Sequence, residues 1–299
     1  MTAVTGAAQA PSPRRIVVGV DGSLNSRIAL EHAARRAGPD GQLIVANAVS
    51  VLPEAVNRAL AGLNEAHRDI ARQLAEQQSA LAGINATAEV RDGRPAEALA
   101  ELAREHDADE IVIGTRGLGR FAAAIGSVAH ALLGLADRPV VVVPRTAADH
   151  PRDGDEQGQC VVVVGYDGSP PARDALAYAT RRAAGGRVIA VHAFQPPPDW
   201  LGSPYYQRAL EAHQSEGREL LRMLQERSDL GVELTTSLLE GPPARAIVAA
   251  ADARDADEIV IGSRGFGAIR GVLGSVSHAI LHEADRPVVV IPADAAAEA

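Results

Sequence analysis

The 299-residue chain contains no lysine, so all 29 of its basic residues are arginines. A Walker A phosphate loop depends on a lysine that reaches the phosphates. Enzymes that form Schiff bases, including those that use pyridoxal phosphate, depend on a reactive lysine amine. The sequence therefore excludes these classes of protein.

Cysteine is nearly absent too, with Cys160 as the single example. One cysteine cannot form a disulfide within the chain, which is typical of proteins kept in a reducing compartment. No apolar run reaches the length of a membrane span, and residues 1–13 lack the apolar core of a signal peptide. We therefore expect a cytoplasmic protein that does not act at a membrane.

Positive charge is in deficit, because 38 acidic residues against 29 basic ones give a formal net charge of −9. That sign opposes binding to nucleic acids and to anionic lipid surfaces. We expect neither of them as a partner.

The chain does contain a long internal repeat. The eight residues Asp107–Gly114 return unchanged as Asp255–Gly262. Each copy holds a run of β-branched residues, which is typical of a strand buried on both faces of a parallel sheet. The length and the 46% hydrophobic content also predict about two domains.

A glycine-rich loop follows each copy and leads to a helix opened by Gly126-Ser127 or Gly274-Ser275. Glycines let backbone N–H groups approach a ligand, and a helix start presents unpaired N–H donors and the positive end of the helix dipole. A serine at this point either caps the helix or directs its hydroxyl at the same anion. The stretch predicts a nucleotide-phosphate site that is present twice.

Apolar strands alternate with amphipathic helices in both halves, which predicts right-handed βαβ units and a parallel sheet. The predicted fold class is α/β, with two tandem doubly wound five-stranded parallel-sheet domains of the Rossmann type. In the first half we predict a strand that ends in a turn over 15–23, further strands near 42–49, 84–90, 111–114 and 139–143, and helices near 26–37, 54–82 and 95–105. The domains are placed at 14–146 and 160–293, the linker at 147–159, a disordered tail at 1–13 and a C-terminal tail at 294–299.

Three motifs occur in the same order in both halves: a first strand ending in Asp-Gly-Ser, a Gly-x-x-Gly loop followed by Gly-Ser, and a valine-rich last strand after Arg-Pro. Together they resemble the universal stress protein family in its tandem, ATP-binding form. The resemblance covers residues from about 14 to 292. It implies the adenine nucleotide alpha hydrolase-like variant of the Rossmann fold.

The resemblance implies a stress-response regulator that binds one ATP per domain, alone or with Mg²⁺, and changes its conformation or partner surface when occupied. In the first domain it implies binding by Gly19, Asp21, Ala48, Gly114, Thr115, Arg116, Gly117, Leu118, Gly119, Arg120, Gly126, Ser127 and Val128. In the second domain it implies binding by Gly165, Asp167, Ala193, Gly262, Ser263, Arg264, Gly265, Phe266, Gly267, Ala268, Gly274, Ser275 and Val276.

The loop departs from the pattern of the ATP-binding members, which have nine residues between the Gly-x-x-Gly and the Gly-Ser or Gly-Thr that follows. Here eight residues separate Gly117 from Gly126, and eight separate Gly265 from Gly274. Two alternatives therefore stay open: a nucleotide-free module for dimerisation or interaction, and a slow ATP hydrolase. The sequence shows no catalytic base, so we expect at most weak ATPase activity.

Several of these residues have a second interpretation. Asp21 and Asp167 either form the turn after the strand or hydrogen-bond to the nucleoside. For the equivalent His130 and His278 we favour packing or a surface position over catalysis. Since Ala268 stands where the first copy has Arg120, we expect the two sites to differ in affinity.

The last strand of each half, 139–143 and 287–291, is predicted to lie at an edge of its sheet, where it can pair with another edge. In the family such strands pair between domains and subunits. We therefore expect the halves to form a pseudo-dimer, and the chain to form a homodimer through these strands and to act on a protein partner.

Overall fold

The computed structural model of the chain describes residues 14–49, 63–81, 85–115, 125–148, 159–195, 204–226, 231–265 and 273–293. The predicted tails and most of the predicted linker lie outside these residues. The first half contains β1 Arg15–Gly19, α1 Leu24–Ala37, β2 Gln42–Val49, α2 Leu63–Leu81, β3 Asn85–Asp92, α3 Pro95–Glu105, β4 Glu110–Gly114, α4 Ser127–Leu135 and β5 Val140–Val143. The second half contains β6 Val161–Gly165, α5 Pro170–Arg182, β7 Arg187–Phe194, α6 Pro204–Gln225, β8 Glu233–Glu240, α7 Pro243–Ala253, β9 Glu258–Gly262, α8 Ser275–Glu283 and β10 Val288–Ile291.

Local sequence explains where α1 begins and ends. The side chain of Ser23 accepts a hydrogen bond from the backbone N–H of Ser26, which satisfies one of the free donors at the helix start. At the other end Gly38 adopts a φ of 73°, which an L-residue rarely does. With Ser23 as its cap, the helix begins at Leu24, two residues before the predicted start. The predicted start of the long second helix lies outside the described residues.

The ten strands form one sheet in the order β3-β2-β1-β4-β5-β10-β9-β6-β7-β8. All neighbours within a half are parallel, and β5 and β10 pair antiparallel at the centre, with Val289 opposite Val141. This confirms the α/β class, the two doubly wound halves and their pairing as a pseudo-dimer.

The prediction that β5 and β10 lie at edges of the sheet is wrong, and the homodimer expected from it stays a prediction. Each of these strands already has a hydrogen-bonded neighbour on both sides within the same chain, β4 and β10 for β5, and β9 and β5 for β10. They leave no unpaired edge for a second copy, and the edges of the continuous sheet are β3 and β8 instead.

Helices cover both faces of the sheet, as the alternation of side chains on β5 shows. Val140 and Val142 enter one hydrophobic cluster, and Val141 and Val143 enter the other. Each cluster contains residues from both halves, so the two domains share their apolar layers. A strand with both faces buried explains the uninterrupted valine run.

A buried polar network crosses the boundary between the halves. The guanidinium of Arg36, at the end of α1, donates to the carboxylates of Glu110 and Glu258 and to the hydroxyl of Tyr178. Burial raises the pKa of Glu110, but the charges of Arg36 and Arg14 outweigh that effect and hold this pKa below its usual value. The network therefore keeps a carboxylate charged where the two domains meet.

The end of the first domain reaches further than the predicted boundary. A short 3-10 turn spans Arg145–Ala148, and Ala147, which was assigned to the linker, is buried in a hydrophobic cluster.

Of the helices in the described part of the chain, none combines the length and apolar character needed to cross a bilayer.

Candidate nucleotide site

A cleft opens in each half at the carboxyl ends of the central strands. The chain leaves β1 toward β2 on one side and reaches β4 on the other, so the order of the sheet reverses between β1 and β4. Open α/β sheets bind ligands at this reversal, where the adjoining loops separate. In the second half the same reversal lies between β6 and β9.

The two clefts have similar sizes and lie at corresponding places in the two halves. The first encloses about 330 Å³ and the second about 360 Å³, within the range of small-molecule sites. The described residues that line the first are Gly19, Val20, Asp21, Ser26, Ala46, Asn47, Ala48, Pro95, Leu99, Ile113, Gly114 and Val128. Those that line the second include Gly165, Tyr166, Asp167, Ala172, His192, Ala193, Pro243, Ile247, Gly262, Arg264, Gly265, Gly274, Ser275 and Val276.

Asp21 and Asp167 form the turns after the first strand of each half. Oδ1 of Asp21 accepts from the backbone N–H of Ser23 at 3.0 Å, and Oδ1 of Asp167 accepts from that of Ser169 at 2.9 Å. Both aspartates also line their clefts, so the turn holds a carboxylate at the cleft wall.

The glycines at the strand ends are explained by close packing. A Cβ on Gly114 would lie 2.9 Å from the carbonyl oxygen of Asn25, and one on Gly262 would lie 2.7 Å from Cβ of Pro171. These contacts need glycine whether or not a ligand binds. Gly265 differs, because its Cβ would lie 2.7 Å from Oδ2 of Asp167 at the cleft wall.

The helices α4 and α8 start without a side-chain cap. Gly126 and Gly274 occupy the capping position, and Ser127 and Ser275 are the first helical residues. Of the two roles considered for these serines, capping is excluded, because the glycine before each of them occupies the capping position. Uncapped backbone N–H groups beside a cleft favour an anion such as phosphate.

Backbone hydrogen bonds hold the two ends of each glycine loop together. The N–H of Gly126 donates to the carbonyl of Thr115 at 2.7 Å, and the N–H of Gly274 donates to that of Ser263 at 2.9 Å. Thr115 and Ser263 thus fix the loop through their main chains, and the side chain of Ser263 is buried. Arg264 is half-buried at the wall of the second cleft.

Part of the predicted phosphate loop lies outside the described residues. In the first domain this applies to Arg116, Gly117, Leu118, Gly119 and Arg120. In the second it applies to Phe266, Gly267 and Ala268. Their predicted contacts stay predictions.

Sequence reasoning missed one equivalent pair of cleft residues. Nδ2 of Asn47 donates to the carbonyl of Val20 at 2.8 Å, and Nδ1 of His192 lies 2.8 Å from the carbonyl of Tyr166. Because a carbonyl only accepts, Nδ1 of His192 carries the proton. Each side chain ties the end of the second strand to the turn after the first. Alignment of the two halves would have singled out this position, since a polar residue interrupts an apolar strand in both.

His130 and His278, expected in packing or surface positions, are both exposed. Neither is among the described residues that line the two clefts at the strand ends. Their rings face each other across the boundary between the halves, with centroids 6.3 Å apart.

Comparison with known proteins agrees with this architecture. The profile of the Universal stress protein family matches residues 13–144 and 161–292. A universal stress protein of Mycobacterium tuberculosis is 33% identical over 328 aligned positions, covering 95% of this chain and 97% of the relative. The chain belongs to the universal stress protein family, with two family domains in tandem.

Two other comparisons support the division into halves. A universal stress protein of Thermus aquaticus is 39% identical over 138 residues, which is 44% of this chain and 96% of that relative. The crystal structure of a universal stress protein from Archaeoglobus fulgidus covers 94% of this chain and 99% of its own, with a TM-score of 0.62 and 21% identity. This likeness extends the shared fold across both halves.

Proposed function

We propose that this chain is an ATP-binding universal stress protein with one nucleotide site per domain, which acts as a nucleotide-dependent regulator. The observation that carries the proposal is the pair of equivalent clefts at the reversal points of the sheet. Each cleft combines an apolar interior with a few polar groups at its wall, as small-molecule sites do.

The nucleoside and the phosphates are assigned to different ends of each cleft. Ala48 and Ala193, at the ends of β2 and β7, leave room for the adenine, and the carboxylates of Asp21 and Asp167 lie beside the adenosine position. The uncapped starts of α4 and α8 supply N–H donors to the phosphates. In the second cleft Arg264 adds a positive charge, which strengthens phosphate binding.

Regulation by occupancy, rather than turnover, is the expected output. His192 is the one histidine among the described residues that line the clefts. Its Nδ1 is engaged by the carbonyl of Tyr166, and a Cβ on Gly217 would lie 3.5 Å from its Nε2. Because Nδ1 is engaged in this way and the ring packs against α6, we do not assign His192 as a catalytic base, and we expect hydrolysis to be slow. Mg²⁺, where it takes part, would be held chiefly by the phosphates and by water.

The proposal does not include a homodimer formed through β5 and β10, because these two strands pair with each other. We expect a protein partner that distinguishes the nucleotide-bound chain from the free chain to contact the loops around the clefts, because a bound nucleotide would touch those loops.

The experiment is the nucleotide content of the full-length protein. The purified chain is denatured and its supernatant is separated by ion-exchange chromatography, for the wild type and for Ala48→Phe plus Ala193→Phe. Both alanines are half-buried at the cleft wall, so a phenyl ring fills the proposed adenine position. Ala177→Phe, at an exposed position on α5, is the matched control.

We expect adenine nucleotide to approach two molecules per chain in the wild type and the control, and to be lost in the double variant. No nucleotide, and no binding when ATP is added to the wild type, would replace the proposal with the nucleotide-free interaction module. Rapid appearance of ADP would favour the hydrolase instead.

A further inference from the structure

Three histidines form a cluster at the surface where the two domains meet. His130 on α4 and His278 on α8 lie with their ring centroids 6.3 Å apart and their planes nearly perpendicular, at 87°. His282, one turn further along α8, lies 4.5 Å from His278 between ring centroids. The first domain has Gly134 where the second has His282, so the cluster is not a simple consequence of the repeat.

The two histidines of α8 already have the separation of two ligands on one metal ion. Their Nε2 atoms are 3.4 Å apart. Two imidazole nitrogens at the usual distance of about 2.0–2.1 Å from a tetrahedral Zn²⁺ lie about 3.3 Å from each other. A hydrogen bond between the same atoms would be long, since such bonds are commonly about 3.0 Å.

All three histidine side chains are exposed at the surface, so an ion in solution reaches them. None of them lines either cleft in the described part of the chain.

We propose that His278 and His282, joined by His130, bind one divalent transition-metal ion such as Zn²⁺ or Ni²⁺ between the two domains. As they are placed in the structure, no three His, Cys, Asp or Glu side chains among the described residues could hold a metal ion. The proposal therefore requires the exposed His130 side chain to rotate toward the His278–His282 pair, with water completing the coordination. The ion would then join α4 of one domain to α8 of the other. The site is independent of the proposed nucleotide function.

The test is calorimetric titration of the full-length, EDTA-treated protein with ZnCl₂, and separately with NiCl₂. We expect one ion per chain. Loss of an outer-shell partner weakens metal binding about 10- to 100-fold. We expect His278→Ala and His282→Ala, which each remove a direct ligand, to weaken it at least as much. His130→Ala should weaken it as well. His67→Ala, at an exposed position on α2, is the control and should change nothing.

Replacement of the ion by Co²⁺ gives a second readout, because tetrahedral Co²⁺ with imidazole ligands absorbs visible light strongly and aqueous Co²⁺ does not. We expect this absorption in the wild type and its loss in His278→Ala. No binding of Zn²⁺ or Ni²⁺ at micromolar concentration, or binding that survives His278→Ala, would overturn the site. An affinity that His130→Ala leaves unchanged would overturn the link between the domains.

Discussion

The two clefts share a frame, made of the turns after the first strands, the strand-end glycines and the loop closures. They differ in some of the side chains that line them. Where the first has Val20, Ser26 and Asn47, the second has Tyr166, Ala172 and His192. The turns, the glycines and the loop closures are the same in both. Duplication has thus kept the contacts that shape the clefts, while some of the side chains that line them have diverged.

The pair Asn47 and His192 shows how this divergence works. Both side chains hydrogen-bond the carbonyl of the residue after the first strand at 2.8 Å, so both serve the frame equally. A carboxamide also has an acceptor oxygen to offer, whereas His192 packs its other nitrogen against Gly217. We therefore expect the clefts to bind the same class of ligand with different affinities.

The largest expected effect comes from breaking the buried Arg36 network, which lies where the two domains meet. Glu110→Ala leaves the buried charge of Arg36 without one of its two carboxylates, and breaking a buried ion pair costs about 3–5 kcal/mol. We expect denaturant unfolding to show this loss. Asp137→Ala, which breaks an exposed contact with Arg104, should cost no more than about 1 kcal/mol.

The same residue predicts a dependence of stability on pH. Because the pKa of Glu110 is lowered in the folded state, its contribution is present above the ordinary pKa of about 4.3 and is lost as the pH falls through the lower folded value. Unfolding measured from pH 6 to pH 3 should show this decline in the wild type. A decline of equal size in Glu110→Gln would contradict the assignment to Glu110.

A smaller effect should separate the clefts. Arg264→Ala removes a charged donor from the second cleft only, and hydrogen bonds to charged groups contribute about 1.5–3 kcal/mol, or about 10- to 100-fold in affinity. Calorimetry with ATP should show one weakened site and one unchanged site. The control Arg245→Ala changes an exposed arginine of α7 and should leave both sites as they are. Equal weakening of both sites by Arg264→Ala would refute the separation.

A matched pair of glycine variants tests whether the frames are equivalent. Gly114→Ala brings its Cβ against the backbone of Asn25, and Gly262→Ala brings its Cβ against Pro171. Overpacking of this kind costs about 1–3 kcal/mol. We expect similar losses of unfolding free energy and loss of ATP from the altered cleft alone. A loss confined to one of the two variants would show that the frames have diverged too.

The smallest effect should come from exchanging the diverged pair. Asn47→His combined with His192→Asn keeps a donor to each carbonyl and swaps the remaining contacts. Since one neutral hydrogen bond contributes about 0.5–1.5 kcal/mol, each dissociation constant should change by a factor of about 2–10. The two affinities should move in opposite directions. Unchanged affinities would show that these two side chains have only a structural role.

Much of this arrangement could be predicted from the sequence because it is local or repeated. The cap at Ser23 and the turn at Asp21 follow from residues a few positions apart. The bond from Arg36 to Glu258 joins residues 222 positions apart, and charged residues at the ends of elements usually face solvent. The cap of α4 could not be decided from the sequence, because Gly126 and Ser127 are both good capping residues and are adjacent.

The central claim is that each domain holds one ATP, and native mass spectrometry of the full-length chain with added ATP tests it most directly. We predict two bound ATP molecules in the wild type, one in Ala48→Phe, one in Ala193→Phe and none in the double variant. Two bound molecules that persist in the double variant, or a wild type that binds none, would contradict the account.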